Sequence, residues 1–296
     1  MLLPILAGVI GLLTGCMYAA VVNRFLAGTR EDAHAGALTG SRYRPHSGCR
    51  ACRARRHGRY ALPVLGYLLA RGRCPACGTS LPSANLLLPV ASCLWAVAAA
   101  VQVLPVAAPG SGIGSGVATA LGPLPGFSAE MGTALAQWLG LMAVGAILLM
   151  ASAIDMECYL LPDVLTLPGA VFAFIVSVLP MGMAPEQALL GSVTGAGLLW
   201  LMQRAYRLLG TEGVGTGDVK LMLMLGALSG LAGLPVLFTV AAVSALLFHA
   251  CASLARLLHL AAAARPVRRM IPFGPFLSLG GMVQVLWGER LAAWLS

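Results

Sequence analysis

Eight stretches of this chain are almost wholly apolar: 2–22, 84–107, 132–154, 164–182, 187–203, 219–234, 236–255 and 272–288. A helix that crosses a bilayer needs ~20 mostly apolar residues. The runs are continuous, with no alternation of period two, so a lipid-embedded β-barrel is excluded. Only 10% of the residues are charged, against roughly a quarter in soluble domains. The expected fold is therefore an all-α polytopic membrane protein with about eight transmembrane helices. Gly230, Gly233 and Pro235 weakly punctuate one long apolar run, which is read as spans six (219–234) and seven (236–255). The first run lacks the basic start of a secretory signal and is read as a retained span.

Basic residues set the orientation, because Lys and Arg favour the cytoplasmic side. The stretch 23–83 holds eleven of the nineteen, Arg204, Arg207 and Lys220 flank a second loop, and Arg256, Arg265, Arg268 and Arg269 fall in a third. Eight spans with the N-terminus outside place all of these inside and leave only Arg290 outside. The net charge of +9 then follows from loop asymmetry. It suits anionic lipid headgroups, and no nucleic-acid partner is expected. The organisation read from the sequence is a first helix (1–22), a cytoplasmic loop (23–83) and a seven-helix membrane core (84–296). The start of that loop, 27–47, and the Gly-, Ser- and Pro-rich external segment 108–131 are expected to be irregular.

The loop carries Cys49-Arg-Ala-Cys52 and Cys74-Pro-Ala-Cys77, with 21 residues between the two pairs. Two Cys-x-x-Cys knuckles at such spacing supply four thiolates for a tetrahedral structural zinc over 49–77. Two disulfides are the alternative, which a reducing cytoplasm opposes. Four sulfurs would leave no open position, so a catalytic zinc is not expected. His46 and His57 lie nearby, yet four cysteines already complete a site. Cys16, Cys93, Cys158 and Cys251 are read as small hydrophobes.

Ten residues are acidic, and two of them abut long apolar runs. Asp155 follows the run ending at Ile154, and Asp218 closes Gly213-Val-Gly-Thr-Gly-Asp218 before the next run opens. An ionisable group in a membrane helix is costly and marks a functional site by default. The topology sets both at the cytoplasmic ends of their spans, 63 residues apart in sequence. Gly215 and Gly217 would let the backbone bend and approach a ligand closely. Helix capping is the alternative role for Asp218. It also accounts for Asp163, while Glu157 and Glu212 read as solvated loop charges. An ion-coupled carrier would spread its acids through the membrane depth, whereas these gather at one face.

Gly15 with Arg24, the two cysteine knuckles, Leu62-Pro63-Val64-Leu65-Gly66-Tyr67-Leu68, Ile154-Asp155, Leu161-Pro162-Asp163, Glu212 to Lys220, Ile271-Pro272-Phe273-Gly274-Pro275-Phe276 and Leu286-Trp287-Gly288 occur in order. In this set the chain resembles the type IV prepilin peptidases, intramembrane aspartic endopeptidases of the Gly-x-Gly-Asp group. The resemblance implies that Asp155 and Asp218 are the catalytic pair, with Gly215, Gly217 and Lys220 beside the substrate. It implies cleavage of a basic leader from prepilins or type II secretion pseudopilins at the cytoplasmic face of the bacterial inner membrane. Pilus or secretion machinery would be the wider partner. Many members also methylate the new N-terminus with S-adenosylmethionine, a step linked to a Gly-Lys that reads Gly72-Arg73 here. A glutamate common in the family corresponds to Pro89, and Ser-Phe-Leu-Asn is replaced by Cys16-Met17-Tyr18-Ala19. The peptidase chemistry is therefore expected intact, and the methyltransferase is the expectation these departures weaken.

Overall fold

Each apolar run folds as a helix, since a backbone in lipid has no water to bond and must satisfy its polar groups within the segment. The computed structural model describes residues 2–34, 52, 63–81, 84–104, 129–159, 161–210, 213, 215–257 and 272–295. Eight helices occur among them: α1 (Leu2–His34), α2 (Pro63–Leu69), α3 (Ala84–Val103), α4 (Ala129–Cys158), α5 (Asp163–Val178), α6 (Pro185–Leu208), α7 (Thr216–Leu257) and α8 (Gly274–Leu295). Leu3–Leu26, Ala84–Val103, Met131–Cys158 and Thr216–Leu254 are each long and apolar enough to cross a membrane, and Asp163–Val178 is a shorter apolar helix. Cys49, His46, His57, Glu212, Arg265, Arg268, Arg269 and most of segment 108–131 lie outside the described residues.

Three expectations need correcting. Residues 27–34 continue α1 as helix instead of starting a loop. Apolar patterning marks the lipid-embedded part of a helix, whereas an established helix extends at one hydrogen bond per added residue. The short helix α2 was not expected, because seven residues carry too little periodicity to be recognised. The long apolar run divides at Gly230, not between 234 and 236: Gly230 adopts φ 61°, ψ 177° inside α7, and Pro235 stays within the helix beyond it. Counting α7 on either side of Gly230, each of the eight expected apolar segments contains a helix.

The chain divides into two compact units, Met1–Val101 and Gln102–Ser296. In the first, α1 turns Gly11 and Gly15 toward α3. A Cβ on Gly11 would sit 2.6 Å from the Ser92 carbonyl, and one on Gly15 2.5 Å from Pro89 Cα. This Gly-x-x-x-Gly face brings the two backbones together as lipid-embedded helices require, because hydrophobicity alone supplies no drive between helices in lipid. Asn23 Nδ2 donates to Asn85 Oδ1 at 2.6 Å across the same pair.

In the second unit α7 packs against α5, α6 and α8, and α4 packs against α5 and α8. Gly191 of α6 and Gly226 of α7 meet backbone to backbone, with no room for a Cβ on either. Leu148, Leu221, Met222, Met224, Leu225 and Leu277 are fully buried among these helices. This packing holds the end of α4, the start of α7 and the start of α8 in one place.

Candidate active site

Asp155 stands one turn before the end of α4, and Asp218 in the first turn of α7. Both are buried, with 4% and 7% of their surface exposed. They are near enough for their charges to repel. Two carboxylates at almost full burial are expensive as structural elements, which separates this pair from the other acids whose burial is described. Asp163 is 58% exposed at its side chain, and Glu157 is half-buried on the last turn of α4.

Each buried carboxylate lies against a glycine. Asp155 Oδ2 accepts from the Gly274 amide at 3.2 Å, at the first residue of α8. Asp218 Oδ2 is 3.4 Å from where a Cβ on Gly215 would be. Gly215 is the residue before α7, so the Asp218 side chain turns back toward the start of its own helix.

The glycines act here through space more than through bending. Gly72, Gly78, Gly182, Gly210 and Gly230 are the described glycines with positive φ, and neither Gly215 nor Gly217 is among them. Gly217 lies inside α7, where a Cβ would come 2.9 Å from the Leu161 side chain. Leu161 in turn is a buried residue of the main core. Lys220, one turn into α7, forms an ion pair with Asp163 at 2.6 Å. Asp163 makes no capping bond; the residue before α5 is Pro162, in an extended conformation, and Asp163 stands in the first turn. There its charge complements the helix dipole.

The cysteine cluster belongs to the first unit. Cys52, Cys74 and Cys77 bring their sulfurs within 4.8 Å of one another. The Cys74 amide donates to the Thr79 carbonyl, the Gly78 amide donates to the Cys74 carbonyl, and Gly78 takes φ +72° to close the turn. The Cys52 and Cys74 sulfurs are 3.8 Å apart, well beyond the ~2.05 Å of a disulfide. Sulfurs at ~2.3 Å from a tetrahedral zinc lie ~3.8 Å from each other, so this donor set fits zinc. Gly72 also has positive φ, with the Tyr67 hydroxyl 3.1 Å from where its Cβ would be, and Arg73 pairs with Ser80 in a single β-bridge. These two residues, expected to serve methyl transfer, thus form the strut that leads into Cys74.

The site residue that sequence reasoning missed is Gly274. It appears in the Pro-Phe-Gly-Pro motif, but the value of its backbone amide depends on a contact 119 residues away.

Comparison with known proteins follows the same division of the chain. The Type IV leader peptidase family model matches residues 142–250, and that of the bacterial peptidase A24 N-terminal domain matches residues 9–103. A prepilin leader peptidase/N-methyltransferase of Pseudomonas putida is 30% identical over 250 residues, covering 84% of this chain and 74% of the relative. The protein of that name from Burkholderia pseudomallei is 31% identical over 245 residues, covering 82% and 68%. This chain belongs to the type IV leader peptidase family. A further member, from Stutzerimonas stutzeri, is 28% identical over 298 residues, 96% of this chain and 91% of its own length. No solved structure matches the chain. Family membership makes it a multi-pass membrane protein of an aspartic-type peptidase family. Asp155 and Asp218 both fall inside the matched peptidase segment.

Proposed function

We propose that this chain removes the leader from type IV prepilins or type II secretion pseudopilins, using Asp155 and Asp218 as paired acid and base. The observation that carries the reading is two buried carboxylates on different helices, near enough to feel each other's charge, in a chain of this family. The pair shares one proton. The ionised carboxylate takes a proton from water as its oxygen attacks the scissile carbonyl, and the protonated one hydrogen-bonds the developing oxyanion. The tetrahedral intermediate then collapses, the C–N bond breaks, and the new amine takes up a proton from the acid. Gly215 leaves the substrate backbone room to approach beside Asp218, with Lys220 alongside and Gly217 seating Leu161 at the edge of the site. The site faces the cytoplasm of the bacterial inner membrane, because the basic loops flank the same helix ends.

Purified full-length protein in lipid vesicles, given a prepilin with its leader, should yield the mature chain. Asp155→Asn and Asp218→Asn should each abolish that product. Near-normal cleavage by either variant removes that residue from the pair.

Cys49, Cys52, Cys74 and Cys77 would hold a structural zinc that ties the insert together. The family's second reaction, methyl transfer from S-adenosylmethionine, has a specific observation against it here. Pro89 occupies the place of a common glutamate and is buried in α3 against Gly15, leaving no carboxylate there. The favoured second reading is a peptidase without methylation. Mass analysis of the mature product incubated with S-adenosylmethionine should show no added methyl group, and a gain of about 14 Da, the net CH2 of one methyl transfer, overturns it.

A further inference from the structure

Within the first turn of α8, Gly274 to Leu277, one backbone donor points away from the helix. The first turn of any helix leaves amides without intrahelical partners. In α8 the second position is Pro275, which has no N–H. The amides of Phe276 and Leu277 both donate to the Phe273 carbonyl. That leaves Gly274, and its amide donates to Asp155 Oδ2.

Space at this contact is as restricted as the bonding. A Cβ on Gly274 would lie 2.7 Å from Asp155 Oδ2 and 3.2 Å from its Cγ. Gly274 is buried, so the carboxylate has little freedom to swing aside. φ at Gly274 is not in the left-handed region, so backbone freedom does not account for glycine here. Close approach to the carboxylate does.

We infer that Gly274 is a positioning residue for cleavage: its amide, at the N-terminus of α8, fixes the rotamer of Asp155 toward Asp218. This rests on the reading of Asp155 as half of the cleaving pair. Helix α8 then joins α4 and α7 as a third wall of the site. The positive end of its dipole faces Asp155, and Pro275 keeps competing amides out of the first turn. A carboxylate displaced by even ~1 Å loses about 100-fold in rate, because the reacting atoms no longer align.

The test compares Gly274→Ala with Gly281→Ala in full-length protein reconstituted in vesicles. Both substitutions crowd α8: the Gly281 Cβ would press on Leu225 of α7, the Gly274 Cβ on Asp155. Gly274→Ala should lower kcat by about 100-fold with KM within about 3-fold of wild type, since binding is retained when only transition-state alignment is lost. Gly281→Ala should lower kcat by less than about 10-fold, the effect of crowding α8 without touching the carboxylate. Equal losses in the two variants, or near-normal kcat in Gly274→Ala, overturn the inference. A second measurement does not depend on Gly274→Ala folding. In glycine-labelled protein, the Gly274 amide should exchange with solvent at least ~10-fold faster in Asp155→Ala than in wild type, as a lost hydrogen bond exposes it. Unchanged exchange also overturns the inference. If Asp155→Asn cleaves normally, the underlying reading of the pair fails instead, so the two failures are distinguishable.

Discussion

At the scale of single residues, what distinguishes Asp155 and Asp218 from Glu157, Asp163, Glu186 and Glu289 is burial beside a neighbouring charge. Their identity as site candidates was legible in the sequence because carboxylates in apolar surroundings are rare and the flanking motifs are specific. Their approach was not legible, because it depends on how α5 and α8, each packed on both α4 and α7, hold those two helices. Gly217 illustrates the difference: it reads as a flexible hinge in the sequence, yet it serves as a gap for Leu161. Gly217→Val should therefore destabilise the protein by about 1–3 kcal/mol through overpacking, measured as detergent-solubilised unfolding in denaturant. An unchanged midpoint would show that Leu161 moves aside freely. Lys220 gives the opposite case. Its pair with Asp163 is partly exposed, and exposed ion pairs contribute only ~0–1 kcal/mol. Lys220→Met should leave the unfolding midpoint nearly unchanged, and a KM increase in the same variant would locate its role in substrate contact.

At the scale of elements, the helices were readable from hydropathy and their ends and breaks were not. The run 219–255 shows why. Gly230, Gly233 and Pro235 all stand in it, and Pro is the stronger breaker in water. The break nevertheless falls at Gly230, where α7 meets α6 at Gly191. The carbonyl of Ser229 beside this break accepts from Gln284 Nε2 of α8 at 3.4 Å. Gln284 is itself held in the spaces left by Gly233 and Gly288. A neighbouring helix thus satisfies a backbone group freed within the membrane, as lipid demands. The backbone at Gly230 lies in a region essentially restricted to glycine, so Gly230→Ala should cost on the order of 1–3 kcal/mol instead of straightening and stabilising α7. Thermal unfolding in detergent checks this, and a raised melting temperature would show that the helix accepts a continuous path.

At the scale of the whole molecule, the division into two compact units parallels the two matched family segments, 9–103 and 142–250. The cysteine knuckles were legible from spacing as a candidate metal site, and Cys52, Cys74 and Cys77 do gather their sulfurs, whereas the boundary near Val101 lies inside an apolar helix, where composition gives no signal. Because all four proposed zinc ligands fall in the first unit, metal loss should act there first. Wild-type protein should carry one zinc per chain by elemental analysis, and Cys74→Ser or Cys77→Ser should release it. Structural zinc contributes folding energy directly, so each variant should also lose protease resistance within 23–83. Segment 142–250 should keep its resistance, since its core is built from Leu148, Leu221, Met224 and their neighbours without any cysteine ligand. Simultaneous loss of protection across both segments would mean that the two units unfold as one cooperative body, and the zinc would then stabilise the peptidase segment as well as the insert.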